Sequence, residues 1–178
     1  MSADFKELVE ATVRSVEPAS MLDVGARYCG LLQGFPEIPA RVGLEVHRPY
    51  LRYALDKDEG KALKGIVPLN ADARCLEDLF LPGSFDVVTC IDVIEHFHKE
   101  DAIWILEALE KIARKLVVIY TPDGFIKAPP LDDEVSFGAT YYQTHRCGFT
   151  LGEMQERGYS VVSIPGTWTS IFCAKKKG

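Results

Sequence analysis

Two acidic residues and a glycine turn, each at the end of an apolar run, carry the first chemical signal in this chain. Met21-Leu-Asp-Val-Gly-Ala-Arg-Tyr-Cys-Gly30 reads as a strand running into a short loop. A glycine in such a turn lets backbone come close to a ligand and turns N–H groups toward it. About one strand-plus-helix unit later, Val42-Gly-Leu-Glu-Val46 is a second apolar strand, and it ends in an acid. A carboxylate at that place accepts hydrogen bonds from ribose hydroxyls. The two strand ends together predict an adenosine site.

Glycine spacing narrows the ligand. A dinucleotide loop of the form G-x-G-x-x-G would put glycines at 25, 27 and 30, and position 27 holds Arg27. The middle glycine exists so that backbone can touch a pyrophosphate, so a large side chain there argues against NAD or FAD. S-adenosylmethionine has no pyrophosphate, and a loop that wraps an amino-carboxylate and a ribose tolerates more side chain.

Gly65-Ile-Val-Pro-Leu-Asn-Ala-Asp-Ala73, Ser84-Phe-Asp-Val-Val-Thr-Cys-Ile-Asp-Val-Ile-Glu-His96 and Thr121-Pro-Asp-Gly124 follow in that order. With the first two motifs they make a chain that resembles the class I S-adenosylmethionine-dependent methyltransferases, in particular the small single-domain, type 11-like group. The resemblance spans roughly residues 20 to 125. It implies S-adenosyl-L-methionine as cofactor and matches Asp23 and Gly25 to the start of the cofactor loop near the methionine end, with Ala26, Arg27 and Gly30 as further cofactor-binding residues of that loop. By the same resemblance Glu45 grips the ribose hydroxyls, with Val46 next to it in the cofactor site, and Asp72 faces the adenine amino group with the Ala73 backbone beside the ring. Cys90 and Ile91 line the cofactor near its sulfonium. The chain departs from the family loop D-x-G-x-G-x-G, because Arg27 and Cys29 stand at the second and third glycines and Gly30 comes one place later.

Methyl transfer from a sulfonium is a direct displacement in which the cofactor carries the reactive group, so the protein mainly aligns the acceptor and excludes water. A hydroxyl acceptor gains from a general base at the carboxyl end of the fourth or fifth strand. Asp92, Glu95, His96 and His145 fall there, and Asp92, His96 and His145 form the candidate catalytic set. Polar packing around the turn out of the fourth strand is the plainer reading of Asp92-x-x-Glu95-His96. His96 and His98 have a metal-like spacing but no third ligand in the sequence, so no metal is expected. His145 sits in Tyr141-Tyr-Gln-Thr-His-Arg-Cys-Gly-Phe149, a mixture that suits a pocket rim. Arg27 is read as contacting the cofactor, the substrate or only solvent. Cys29 and Cys90 are read as small packing thiols, and Trp104 as a packing residue.

These groups need a frame, and the remaining residues describe one. Phe5, Leu8, Val9, Val13 and Val16 predict a helix from Asp4 to Val16, stopped by Pro18. Pro49 starts a helix through Ala54 and Leu55 that the charged stretch Asp56 to Gly60 ends. The fourth strand, Phe85 to Cys90, leads to a helix from about Glu100 to Lys115, buried along Leu106, Leu109, Ile112 and Ala113. Leu116-Val-Val-Ile-Tyr120 is a central strand. Apolar runs without alternation belong to strands covered on both faces. After an irregular loop containing Pro129-Pro130 and Asp132-Asp-Glu134 come a short helix, Leu151 to Arg157, and a hairpin. Its strands are Tyr159 to Ile164 and Trp168 to Ala174, with Pro165-Gly166 at the turn. The expected fold is α/β and Rossmann-like, doubly wound, with a mostly parallel sheet and a C-terminal antiparallel strand pair. It forms a single domain over 1–178, with an N-terminal helix in 1–17, a cofactor-binding core in 20–122, a substrate-side loop in 123–149 and closing elements in 150–178.

Composition excludes some partners. A formal charge of −6 argues against generic nucleic-acid binding, and no apolar run approaches the roughly 18 residues of a membrane span. Mean hydropathy is near zero, at +0.01. Five cysteines without a C-x-x-C pair read as free thiols in a reducing compartment. The start Met-Ser-Ala-Asp-Phe-Lys-Glu lacks the order of a secretory signal. The expectation is a cytoplasmic monomer or homodimer acting on a small-molecule or glycan-like acceptor. Its alternative is a catalytically weak or inactive binding partner that keeps the methyltransferase fold.

Overall fold

The apolar runs form strands buried on both faces, as their lack of alternation requires. The computed structural model describes residues 3–57, 61, 63–127, 137–166 and 169–177. Its strands are β1 (Ser20–Val24), β2 (Ala40–Glu45), β3 (Ile66–Asn70), β4 (Phe85–Ile91), β5 (Ala113–Pro122), β6 (Ser160–Ile164) and β7 (Ser170–Lys176). They lie in one sheet in the order β3-β2-β1-β4-β5-β7-β6. β1 to β5 are parallel, and β7 runs antiparallel to both β5 and β6. The sheet is that of a Rossmann-like α/β fold.

Successive strand residues feed opposite cores. Met21, Val87 and Leu116 pack with Phe5, Val9 and Val13 of α1 (Ala3–Arg14), Leu32 of α2 (Gly30–Gln33) and Leu51 of α3 (Arg48–Asp56). Leu22, Val88 and Val117 pack on the other face, with Leu76 of α4 (Leu76–Leu79), Leu106 and Leu109 of α5 (Lys99–Ile112) and Met154 of α6 (Leu151–Glu156). Each such fully buried side chain is worth about 1.5–3 kcal/mol, so both helical layers are held by burial. No described helix is long and apolar enough to cross a membrane.

Two helices end earlier than their periodicity predicts. α1 stops at Arg14, where turn-type bonds such as Glu17 N–H to Arg14 O replace the helical ladder. α5 stops at Ile112, and Arg114 and Lys115 belong to β5. The cause is Asp86, buried at the start of β4. Its carboxylate accepts from Ala19 N at 2.8 Å and Arg114 Nε at 2.7 Å, with Lys115 Nζ at 3.4 Å. Ala113 pairs with Phe85 and Leu116 with Val87, so a bulge sets both Arg114 and Lys115 opposite this one acid. β5 therefore begins three residues before the predicted Leu116. β2 ends at Glu45, with Val46 just beyond it. α6 starts with a reciprocal cap, Glu153 N to Thr150 Oγ1 at 3.2 Å and Thr150 N to Glu153 Oε2 at 2.7 Å. Pro129-Pro130, Asp132-Asp-Glu134, Trp168 and residues 58–60 lie outside the described residues.

Burial alone would raise the Asp86 carboxyl, but the Ala19 N–H and the Arg114 charge outweigh it and hold the group below its ordinary value. Replacing Asp86 by Ala leaves the Ala19 N–H without its acceptor and should cost about 2 kcal/mol, the scale of one charge-assisted bond. Urea unfolding checks this. In the parent chain the same contribution is present above the unfolded carboxyl value near pH 4 and fades as pH falls through the lower folded value.

Chain order leaves β1 with neighbours reached in opposite directions, β2 on one side and β4 on the other. A crevice opens at such a switch point, beyond the carboxyl ends of the strands.

Candidate active site

The crevice is a cavity of about 470 Å³, and it gathers residues from four strand ends: Asp23 and Gly25, Glu45 and Val46, Asp72, and Ile91 and Asp92. Ala26, Arg27, Gly30 and His96 also line it. Ala73 and Cys90 do not. Cys90 is fully buried among core residues and Ala73 packs in the same cluster, because alternation along β4 turns Cys90 away from the cavity while its neighbour Ile91 faces it.

The loop after β1 is built differently from its sequence reading. Gly25 N and Ala26 N both donate to Leu44 O, at 2.8 and 3.0 Å, and Arg27 N donates to Glu45 Oε2 at 2.9 Å. These three N–H groups are spent on holding the loop to β2, so they are not free donors for a ligand. Gly25 has φ +76°, and a Cβ there would run into Val93. Arg27 and Cys29 adopt φ 51° and 58°, the left-handed region that the family glycines would occupy without strain. Both residues hold this conformation although neither is glycine. Packing compensates, since the Cys29 sulfur fits against Gly43, where a Cβ would approach it to 2.6 Å.

Glu45 anchors the middle of the cavity. It is 6% exposed, and Oε1 accepts from His47 N at 2.7 Å while Oε2 holds the loop. Burial pushes its carboxyl up, opposed by those two N–H donors. Free lone pairs remain on both oxygens. Asp72 turns the chain into a short 3-10 helix and is paired with Arg74, whose Nη2 lies 2.7 Å from Oδ2. The sequence reading missed Arg74, which the two-residue spacing from Asp72 could have suggested. Tyr28, Tyr50, Tyr141 and Tyr142 add an aromatic wall, and the Arg27 guanidinium lies 5.2 and 5.1 Å from the Tyr28 and Tyr50 ring centres. The buried Tyr50 hydroxyl has no hydrogen-bond partner among the described residues.

Acids and imidazoles share the far end. Asp92 has φ 52° and is accessible inside the crevice, whose walls displace enough water to raise its carboxyl to about 6. Glu95 is 1% exposed, accepts from Thr121 Oγ1 at 2.9 Å, and is pushed up to about 8 by burial and by the nearby Asp92 charge. His96 is pulled down to about 4, by burial first and then by His145. His145 does not line the cavity. Its ring sits 5.0 Å from that of His96 and its Nδ1 meets Ile126 O at 2.7 Å, so it reaches the site through His96. Arg146 fastens this loop, with Nη1 to His96 O at 2.7 Å and Nη2 to Tyr141 O at 2.7 Å.

Asp23 is 4% exposed and accepts from Thr89 Oγ1 at 2.7 Å; burial raises it to about 7. A carboxyl with a folded value above its unfolded value, near 4, loses stability as pH rises between the two and carries the full penalty above the folded value. The Asp23→Asn variant cannot ionise and keeps an acceptor for Thr89. Without ligand, its stability relative to the parent should therefore increase from pH 4.5 to 7.5, read by urea unfolding; an unchanged difference would contradict the assignment.

No protein-family model matches the sequence, and no curated protein matches it. Solved structures do resemble it. The magnesium protoporphyrin IX methyltransferase of Synechocystis PCC 6803 with bound S-adenosylhomocysteine superposes with TM-score 0.69 at 14% identity, over 98% of this chain and 83% of that one. The N-terminal domain of EvdMO1, also with S-adenosylhomocysteine, gives 0.72 at 14% identity, over 100% and 83%. The methyltransferase domain of bacterial CtHen1-C gives 0.66 at 21% identity, over 96% of each chain. Sheet order, the crevice at the switch point and these neighbours define the class: the chain has the class I methyltransferase fold.

Proposed function

We propose that the protein binds S-adenosylmethionine in this cavity and transfers its methyl group to a small-molecule or glycan-like acceptor. One observation carries the reading: a ribose-type acid, a loop glycine under strain-sensitive packing and an adenine-side acid converge on one cavity from three strand ends. The residues present fit the cofactor. Glu45 accepts from the ribose hydroxyls, Asp72 faces the adenine edge, and Asp23 with Arg27 meets the methionine end. When bound, the cofactor supplies the electrophilic methyl group. Asp92, exposed within the cavity and ionised near pH 7.5, takes the acceptor proton. Neutral His96 orients the acceptor, His145 holds His96, and the tyrosine wall excludes water.

Calorimetric titration with S-adenosylhomocysteine tests this, with NADH as the control ligand. Micromolar binding of the first alone supports the reading. Binding of neither would leave a partner protein that keeps the fold as the better account.

A further inference from the structure

The sequence offers His96 and His98 without a third ligand, whereas the fold supplies two more donors. Glu95, His96 and His145 each present one ligand atom, and these atoms lie within 4.8 Å of one another. Donors on one ion at about 2.0–2.2 Å are at most about 4.4 Å apart, so a shift of under about 1 Å closes the set. We propose that these three residues form a divalent metal site where His96 meets the cavity.

Three further features fit coordination. A carbonyl can only accept, so the bond to Ile126 O fixes the Nδ1–H tautomer of His145 and leaves the Nε2 lone pair for a metal. The His96 Nδ1 is buried and has no hydrogen-bond partner among the described residues, an arrangement that costs free energy unless something satisfies it. Glu95 is fully buried, yet no lysine or arginine side chain pairs with it among the described residues. A buried acid is normally paired with a cation, bound to a metal or kept neutral.

Two imidazoles and one carboxylate select a first-row transition ion such as Zn²⁺, Co²⁺ or Mn²⁺ over Mg²⁺ or Ca²⁺, which prefer oxygen cages. Three protein ligands leave positions open, and His96 lines the cavity beside Asp92. Resting on the methyl-transfer reading, the ion takes an acceptor hydroxyl oxygen there. The hydroxyl proton passes to Asp92, the O–C bond forms as the S–C bond breaks, and S-adenosylhomocysteine leaves as a neutral thioether.

The test is titration of chelator-treated full-length protein with Co²⁺, followed by visible absorption, and with Zn²⁺ by calorimetry. One ion per chain at micromolar affinity is expected, weakened at least 100-fold in His145→Ala. His98→Ala, exposed and outside the set, should bind as the parent does. His145→Gln keeps a polar side chain of similar reach and serves if the Ala variant does not fold. Absence of binding by the parent, or parent-like binding by the His145 variants, overturns the proposal. S-adenosylhomocysteine titration of the same metal-free protein separates the two readings: its binding without metal binding refutes only the metal site, and the reverse refutes only the cofactor site.

Discussion

Glu45→Ala is expected to weaken S-adenosylhomocysteine binding by roughly 100-fold. Two charge-assisted hydrogen bonds to ribose hydroxyls at about 1.5 kcal/mol each amount to about 3 kcal/mol, and 1.4 kcal/mol is tenfold. A second effect travels with the first, because the same carboxylate accepts from Arg27 N and His47 N at 2.9 and 2.7 Å. Those N–H groups would lose their acceptor, so the ligand-free variant should also unfold about 1–3 kcal/mol more easily. Calorimetry and urea unfolding on one preparation distinguish the roles. Lower stability with unchanged ligand affinity would mean that Glu45 only ties the loop to β2.

Gly25→Ala should be strongly destabilising for the addition of a single methyl group. The residue sits at φ +76°, where a side chain costs about 1–2 kcal/mol, and the added Cβ would collide with the Val93 side chain. Overpacking adds about 1–3 kcal/mol. At roughly 2–4 °C per kcal/mol for a chain of this size, the melting temperature should fall by roughly 5–15 °C, and the cofactor turn should no longer close. Gly30→Ala is the matched control, since a Cβ there meets nothing within 4 Å. Its melting temperature should stay near that of the parent, which thermal unfolding of both variants reads directly. Equal losses at the two positions would contradict the conformational argument.

The two predictions concern the residues that were easiest to find from sequence, and the reason is local. A strand ending in Asp-x-Gly or in Glu is written in consecutive residues, and the apolar runs around Leu22, Val88 and Val117 announce strands covered on both faces. The sheet and the acids at its carboxyl ends were therefore legible. Features that depend on where distant residues land were not. Arg114 and Lys115 continue a helical pattern, and only their ion pairs with buried Asp86 put them in a strand. Arg27 and Cys29 break the glycine pattern of the loop, and the packing of Cys29 against Gly43 and the bonds to Leu44 O that hold it are not visible in its spacing. The partnership of His145 with His96 joins residues 49 positions apart through the Arg146 clamp, and no spacing in the sequence records it. Cys90 shows the opposite error, since a family motif marks the strand end but alternation decides which of its residues faces the cavity.

The most direct measurement is the crystal structure of the protein with S-adenosylhomocysteine. The account predicts ribose hydroxyls on the Glu45 carboxylate, the adenine beside Asp72, and the sulfur turned toward Asp92 and His96. A ligand bound outside this crevice, or lying in it with the ribose away from Glu45, would contradict it.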